Sequence, residues 1–150
     1  MTPHPETDNV AAMINERLGG YNQTMGLRFE KVTNAEVVGG LTIAAHHLQP
    51  YGIVHGGVHA GIIEAACSTG AAVDAFAAGR TVVGLENSTS FIRAARTGTL
   101  RVTAHPVTRG RRTQVWEATV VGDDGRILAT GRVRLLCLEA GSDLAGKEAG

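Results

Sequence analysis

The chain has 150 residues, 43% of them hydrophobic and 19% charged, enough to bury one core in a single domain. Fourteen basic and fourteen acidic residues balance to a formal net charge of zero, which argues against nucleic acid or an anionic membrane surface as a partner. Cys67 and Cys137 form neither a disulfide framework nor a CxxC pair, and the first nine residues lack the basic and apolar regions of a secretory signal, so a cytoplasmic protein is expected.

Residues 1–9 read as a flexible lead, with Asp8 or Asn9 placed to cap a short amphipathic helix over 10–18 that Gly19-Gly20 stops. Lead and helix together, residues 1–21, stand apart from the main domain at 22–139. Strand-like segments occupy 27–32 and 36–45, with Asn34-Ala35 as the turn. A loop rich in Pro, Gly and His covers 46–57. Residues 57–78 then read as a buried helix closed by Gly79; Glu64, Ser68 and several glycines interrupt it too often for a membrane span. Strands are predicted at 81–93, 99–109, 113–122 and 126–139, the last two joined by an Asp124-Gly125 hairpin turn. The Gly- and Ala-rich tail 140–150 is expected to be disordered. One long helix covering one antiparallel sheet makes the class α+β. The second face of that sheet is expected to carry apolar side chains and to meet a second sheet or a partner subunit.

Chemistry concentrates between Leu48 and Asp74. Glu64 is the only acid between Gln49 and Val73, and no Lys or Arg accompanies it. A lone carboxylate in apolar surroundings is either paired with a distant Arg or put to use. Gly56-Gly57 precede the helix, where uncovered N–H groups and the helix dipole can polarise a carbonyl; the bland alternative is a tight turn. His55 and His59 lie four apart, but Glu64 is five positions past His59, about 140° around a helix at roughly 100° per residue. No metal site is therefore expected, and His59 reads as a packed or interface residue. Cys67 reads as core. Ser68 lies in no GxSxG elbow, and no GxGxxG or Walker motif occurs.

The run Gly52-Ile53-Val54-His55-Gly56-Gly57, with Glu64 nine residues after the His, resembles the G-x-x-H-G-G motif and spaced acid of the hotdog-fold thioesterases. The group in question holds the phenylacetate-pathway (PaaI-type) enzymes and the Arthrobacter-type 4-hydroxybenzoyl-CoA thioesterase. Residues 87–93 resemble that family's next strand, and the likeness spans about 22–139. It implies a hotdog fold, an antiparallel sheet wrapped around one long buried helix, and hydrolysis of an acyl-CoA to a carboxylic acid and free coenzyme A. The resemblance gives the Gly56 N–H, helped by Gly57, the thioester carbonyl. It gives Glu64 the role of nucleophile or general base, and Gln49 that of orienting the acid or water. His55 would stand beside the thioester and Ser68 would assist one helical turn on. Asn87 and Ser88 would contact substrate. Arg93, Arg109, Arg111 and Arg112 are candidates for the coenzyme A phosphates, which guanidinium forks suit.

Many PaaI-type members have Asp and Asn where this chain has Glu64 and Gln49; the pair here is that of the Arthrobacter type. The resemblance implies no metal or redox cofactor. It implies a homodimer as the minimum, with the acid supplied by the other subunit, and a homotetramer as the assembly. Two other readings are a non-catalytic acyl-CoA binding module and a hotdog hydratase or dehydratase, in which His55 and Glu64 would form the acid–base pair.

Overall fold

The computed structural model describes residues 4–148. Two short helices come first, α1 (Ala11–Glu16) and α2 (Gly20–Met25), then strands β1 (Arg28–Val32) and β2 (Val37–Thr42). A 3-10 turn at Ala45–His47 leads into the long helix α3 (Gly56–Phe76), and four strands follow: β3 (Thr81–Phe91), β4 (Thr99–Arg109), β5 (Thr113–Val121) and β6 (Ile127–Leu138). The six strands form one antiparallel sheet in the order β1-β2-β4-β5-β6-β3. This is the hotdog architecture.

The core lies between α3 and one face of the sheet. Alternate residues of β4 and β5, among them Leu100, Val102, Trp116, Ala118 and Val120, are buried, as the two-residue strand period requires. They meet Ile62, Ile63, Ala66, Cys67 and Ala71 of α3 in one cluster. Gly70 is a close-approach position: a Cβ there would lie 2.5 Å from the Trp116 ring.

Four expectations need correction. Gly19-Gly20 do not simply end a helix, because Gly20 opens α2, which Gly26 closes at φ +76°. Residues 4–7 are not a loose lead. Asn34, buried in the β1–β2 turn, donates to the Pro5 carbonyl and accepts from the Thr7 N–H, while His4 lies 3.0 Å from Asp74 of α3. The outer face of the sheet is polar, with Thr103, Glu117, Thr119, Thr130 and Arg132 flanking an open groove of about 430 Å³. In the tail, Asp143–Leu144 pair with Lys147–Glu148 in a small hairpin; residues 149–150 lie outside the described residues.

β3 forms one margin of the sheet, and among the described residues it pairs with β6 alone, so its other edge is unpaired over 11 residues. Phe76, Leu85, Phe91 and Ile92 stand exposed along this side. Among the described residues no helix is long and apolar enough to cross a membrane.

Candidate active site

The loop before α3 is held from several directions. His47 is buried, accepts the Ala44 N–H at Nδ1 (2.9 Å) and meets the Met25 carbonyl at Nε2 (2.7 Å); its own carbonyl takes the His55 N–H. Gly52, at φ +73°, turns the chain back so that the Gln49 N–H reaches the Ile53 carbonyl. Arg96 donates to the carbonyls of Tyr51 and Gly52 (2.9 and 3.0 Å). Neither His47 nor Arg96 was expected to matter; both partners lie far off in sequence. The Tyr51 N–H donates to Oε1 of Gln49, which leaves the amide NH₂ free to donate elsewhere.

At the start of α3 the two glycines part company. His55 is the N-cap, and its Nδ1 accepts the Gly57 N–H at 2.8 Å. Gly57 is thereby removed from the carbonyl-polarising role expected of it. The Gly56 N–H makes no hydrogen bond among the described residues and sits at the positive end of a 21-residue helix. Phe91 presses against it: a Cβ at position 56 would lie 2.7 Å from Cζ of that ring, so any larger residue displaces the ring. Gly56, Gln49, His59, Phe91, Ile92 and Arg93 line a cleft of about 310 Å³.

His59, which the sequence reads as a packed or interface residue, is packed, and it also borders this cleft. It is 3% exposed, and its buried Nδ1 has no hydrogen-bond partner among the described residues. Burial pushes its pKa below the usual imidazole range, which keeps it neutral.

Glu64 lies elsewhere. It is half-buried beneath β3, and Gly84 leaves the space it occupies, since a Cβ there would fall 2.6 Å from Oε1. Asn87 donates to Oε2 of Glu64 (3.1 Å) and to the Ala60 carbonyl (3.0 Å), while Thr89 Oγ1 donates to Asn87 Oδ1 at 2.6 Å and sets that amide. Within the chain, therefore, Asn87 orients the acid, a role expected of Gln49. Ser88, one residue on, faces the outer groove beside Arg132. The Ser68 hydroxyl donates to the Glu64 backbone carbonyl at 2.6 Å, so its proton serves the helix rather than the carboxylate. Cys67 is fully buried, and burial first, then the carboxylates of Glu64 and Glu117, push its thiol far above its ordinary range. It is no nucleophile.

The arginines divide as well. Arg93 borders the cleft. Arg109 is turned inward, donates to the Asn34 carbonyl (3.0 Å) and lies 3.7 Å from Asp74. Arg111 and Arg112 occupy the β4–β5 turn, where the Arg111 carbonyl accepts from Arg80. These three sit near the far end of α3, about 30 Å along its axis from Gly56. Among the described residues no three His, Cys, Asp or Glu side chains gather into a metal-binding group.

On the β3 side the chain thus carries a cleft with an N–H unpaired among the described residues and, eight residues later in α3, a cradled carboxylate about 12 Å along the axis. A developing negative charge fits the first, and nucleophilic or basic help fits the second.

Comparison with known proteins places this arrangement. A thioesterase superfamily model matches residues 51–129. Rv1847 of Mycobacterium tuberculosis is 37% identical over 122 residues, covering 80% of this chain and 87% of that one, and its structure superposes with a TM-score of 0.79. AziG of S. sahachiroi is 42% identical in structure comparison, with a TM-score of 0.79 and coverage of 82% and 99%. The 1,4-dihydroxy-2-naphthoyl-CoA hydrolase of Listeria monocytogenes is 30% identical over 113 residues, 75% of this chain and 91% of that protein. With the motif, the fold and these matches in agreement, the chain belongs to the thioesterase superfamily.

Proposed function

We propose that the protein hydrolyses an acyl-CoA thioester to a carboxylic acid and free coenzyme A, in a homodimer whose two sites each draw on both subunits. The observation that carries this reading is the division of labour at the start of α3: His55 takes the Gly57 N–H, and the Gly56 N–H is left unpaired over the cleft. A thioester oxygen placed there gains a donor and the helix dipole, both of which count most when the oxygen becomes an anion. The Listeria relative's substrate, a coenzyme A thioester, supports the substrate class.

Glu64 then acts from the partner subunit. As a base it takes a proton from water; hydroxide adds to the carbonyl carbon, the tetrahedral anion rests on the Gly56 N–H, and its collapse expels the thiolate, which takes up the proton. As a nucleophile the same carboxylate adds to the carbonyl carbon, the C–S bond breaks to expel the thiolate, and water opens the resulting anhydride to the carboxylic acid and free Glu64. The NH₂ of Gln49 is placed to hold the water or the acid across the interface, and Arg93 at the cleft mouth is placed to meet coenzyme A phosphate. The long unpaired edge of β3 and the exposed Leu85, Phe91 and Ile92 supply a surface for the second subunit. A pair of such dimers is the tetramer the family resemblance implies. No cofactor takes part.

The test is thiol release from a panel of aryl- and straight-chain acyl-CoAs by wild type and Glu64→Ala. Turnover of at least one thioester, lowered about 10²-fold or more in the variant, is expected. Binding without release in either form would instead make the protein an acyl-CoA binding module. Equal turnover by both would take the chemistry away from Glu64.

A further inference from the structure

We infer that Gly84 and Thr89 are positioning residues for Glu64, and that together with Asn87 they leave Oε1 as the carboxylate oxygen that meets the water or the thioester; this rests on the thioesterase reading above. The strand β3 brings them to bear by a bulge. Its pairing with β6 sets Gly84 opposite Leu135 and Glu86 opposite Arg134, so Leu85 is an extra residue in the ladder. Without it the two-residue strand period would put Gly84 and Asn87 on opposite faces of the sheet. With it, Gly84 before the bulge and Asn87 and Phe91 after it all face α3, where they meet Glu64, Ala60 and Gly56.

The carboxylate is held from two sides. A Cβ added at Gly84 would meet the Glu64 carboxyl group first, at 2.6 Å from Oε1 and 3.9 Å from Oε2. The backbone of Gly84 is outside the left-handed region, so glycine serves the space here and not a turn. On the other side Nδ2 of Asn87 has two acceptors in reach, Oε2 of Glu64 and the Ala60 carbonyl, and only an NH₂ can face both. Oδ1 is thereby turned to Thr89, whose hydroxyl donates to it at 2.6 Å. Thr89 pairs with Gly131 of β6, where a Cβ would fall 2.8 Å from that same hydroxyl oxygen, so a second missing side chain makes room for it. Asn87 thus occupies Oε2. Oε1 has no hydrogen-bond partner among the described residues and, unlike the buried orphan atoms of the fold, keeps exposed surface. Asn87 is exposed and Glu64 half-buried, so the grip adds little to stability while it costs side-chain freedom. Aim is what it supplies.

Thiol release from the acyl-CoA that wild type turns over best tests this in Gly84→Ala, Thr89→Val and Thr89→Ser. Gly84→Ala is expected to lose about tenfold or more in kcat, with KM within about twofold and the thermal midpoint not lowered. The new methyl displaces the carboxylate and crowds nothing else. Thr89→Val keeps the shape and removes the donor, and should lose about threefold or more in kcat; Thr89→Ser, which restores the donor, should stay within about twofold of wild type. Added to Glu64→Ala, neither Gly84→Ala nor Thr89→Val should lower the residual rate further, since each acts through the carboxylate. Three results would each overturn the inference: a kcat for Gly84→Ala within about twofold of wild type, a loss in Thr89→Val that Thr89→Ser shares, or a second loss on top of Glu64→Ala. Failure of the thioesterase reading looks different. Either no substrate releases thiol or Glu64→Ala turns over as fast as wild type, and the inference then falls with it.

Discussion

Glu64→Ala empties the cradle formed by Gly84 and Asn87, while Gly56→Ala sets a Cβ 2.7 Å from Cζ of Phe91, so that the ring must swing away and the cleft wall with it. Phe91 is 61% exposed, which lets it move without unfolding the chain. Each variant should lose about 10²-fold in kcat/KM, the first by loss of a base or nucleophile, the second by misplacing the carbonyl. Mixed, they should recover. The two groups are about 12 Å apart along one helix, and a catalytic group must come within about 3 Å of its target, so the half-sites of one chain cannot serve each other. In a hybrid dimer the intact Gly56 of one chain meets the intact Glu64 of the other at one of its two sites. Random reassortment makes about half of the dimers hybrid, so the mixture should show about a quarter of wild-type activity against about 1% for either parent. The assay is thiol release after co-expression with two affinity tags, or after unfolding and refolding the mixture. Hybrid dimers no more active than the parents would mean that each site is built within one chain.

Three further outcomes follow from packing and burial. Asp74→Ala should lower unfolding stability by about 3–5 kcal/mol, since it strips the acceptor from the Asn34 and Gln114 amides and leaves the Arg109 guanidinium inside without its carboxylate; urea denaturation would show it, and a loss under 1 kcal/mol would mean the cluster is relaxed. Gly70→Ala should cost about 1–3 kcal/mol, because the new methyl meets the Trp116 ring at 2.5 Å and Val37 at 2.9 Å, as a shift of the thermal midpoint would report. His59, whose pKa is lowered in the fold, binds a proton in the unfolded chain below about pH 6.5 and refuses it in the native one. Its contribution to stability is therefore complete above that pH and lost as the pH falls toward the native pKa. Wild-type urea midpoints should drop more steeply between pH 7.5 and 5.5 than those of His59→Leu; equal slopes would contradict the assigned burial effect.

The sequence carried most of the scaffold because its signals were long or strong. β4 begins and ends where the alternation of Thr99–Arg109 does, α3 fills the uncharged run that frames Glu64, and Gly125, at φ +74°, turns the last hairpin. The helix α2 escaped notice because six residues between glycines hold too little periodicity to be seen. The polar outer face follows from a pleat that sends Thr103, Thr119 and Thr130 away from α3, which composition does not reveal. Arg109 and Arg111 look like one cluster in the chain, but the first is drawn inward by Asp74, 35 positions away, and only the second lies in the turn. Asn87 was legible as a site residue by resemblance, whereas its grip on Glu64 depends on how β3 crosses the helix.

The polar side chains within the fold sort by how completely they are matched, and that sorting separates structure from chemistry better than residue type does. Asp74 has the Asn34 and Gln114 amides on its two oxygens, with His4 and Arg109 nearby, and Gln114 passes the network on to the Trp116 indole at 2.8 Å. His47 has both ring nitrogens engaged. These groups are closed to any ligand, and their job is to fasten the N-terminal arm and the loop to α3. Glu64 is different: Asn87 holds one oxygen, while the other rests over the backbone of Gly84 with no donor. Among the described residues the Gly56 N–H has no acceptor and the buried Nδ1 of His59 no partner. Glu64, Gly56 and His59 lie in the N-terminal half of α3, whereas the Thr81 hydroxyl, also buried and without a partner among the described residues, opens β3 beyond the other end of that helix. A carboxylate and a backbone donor left open cost stability that the fold has no structural reason to forgo. An anion-forming carbonyl on the Gly56 N–H and a water beside Glu64 are what would match them.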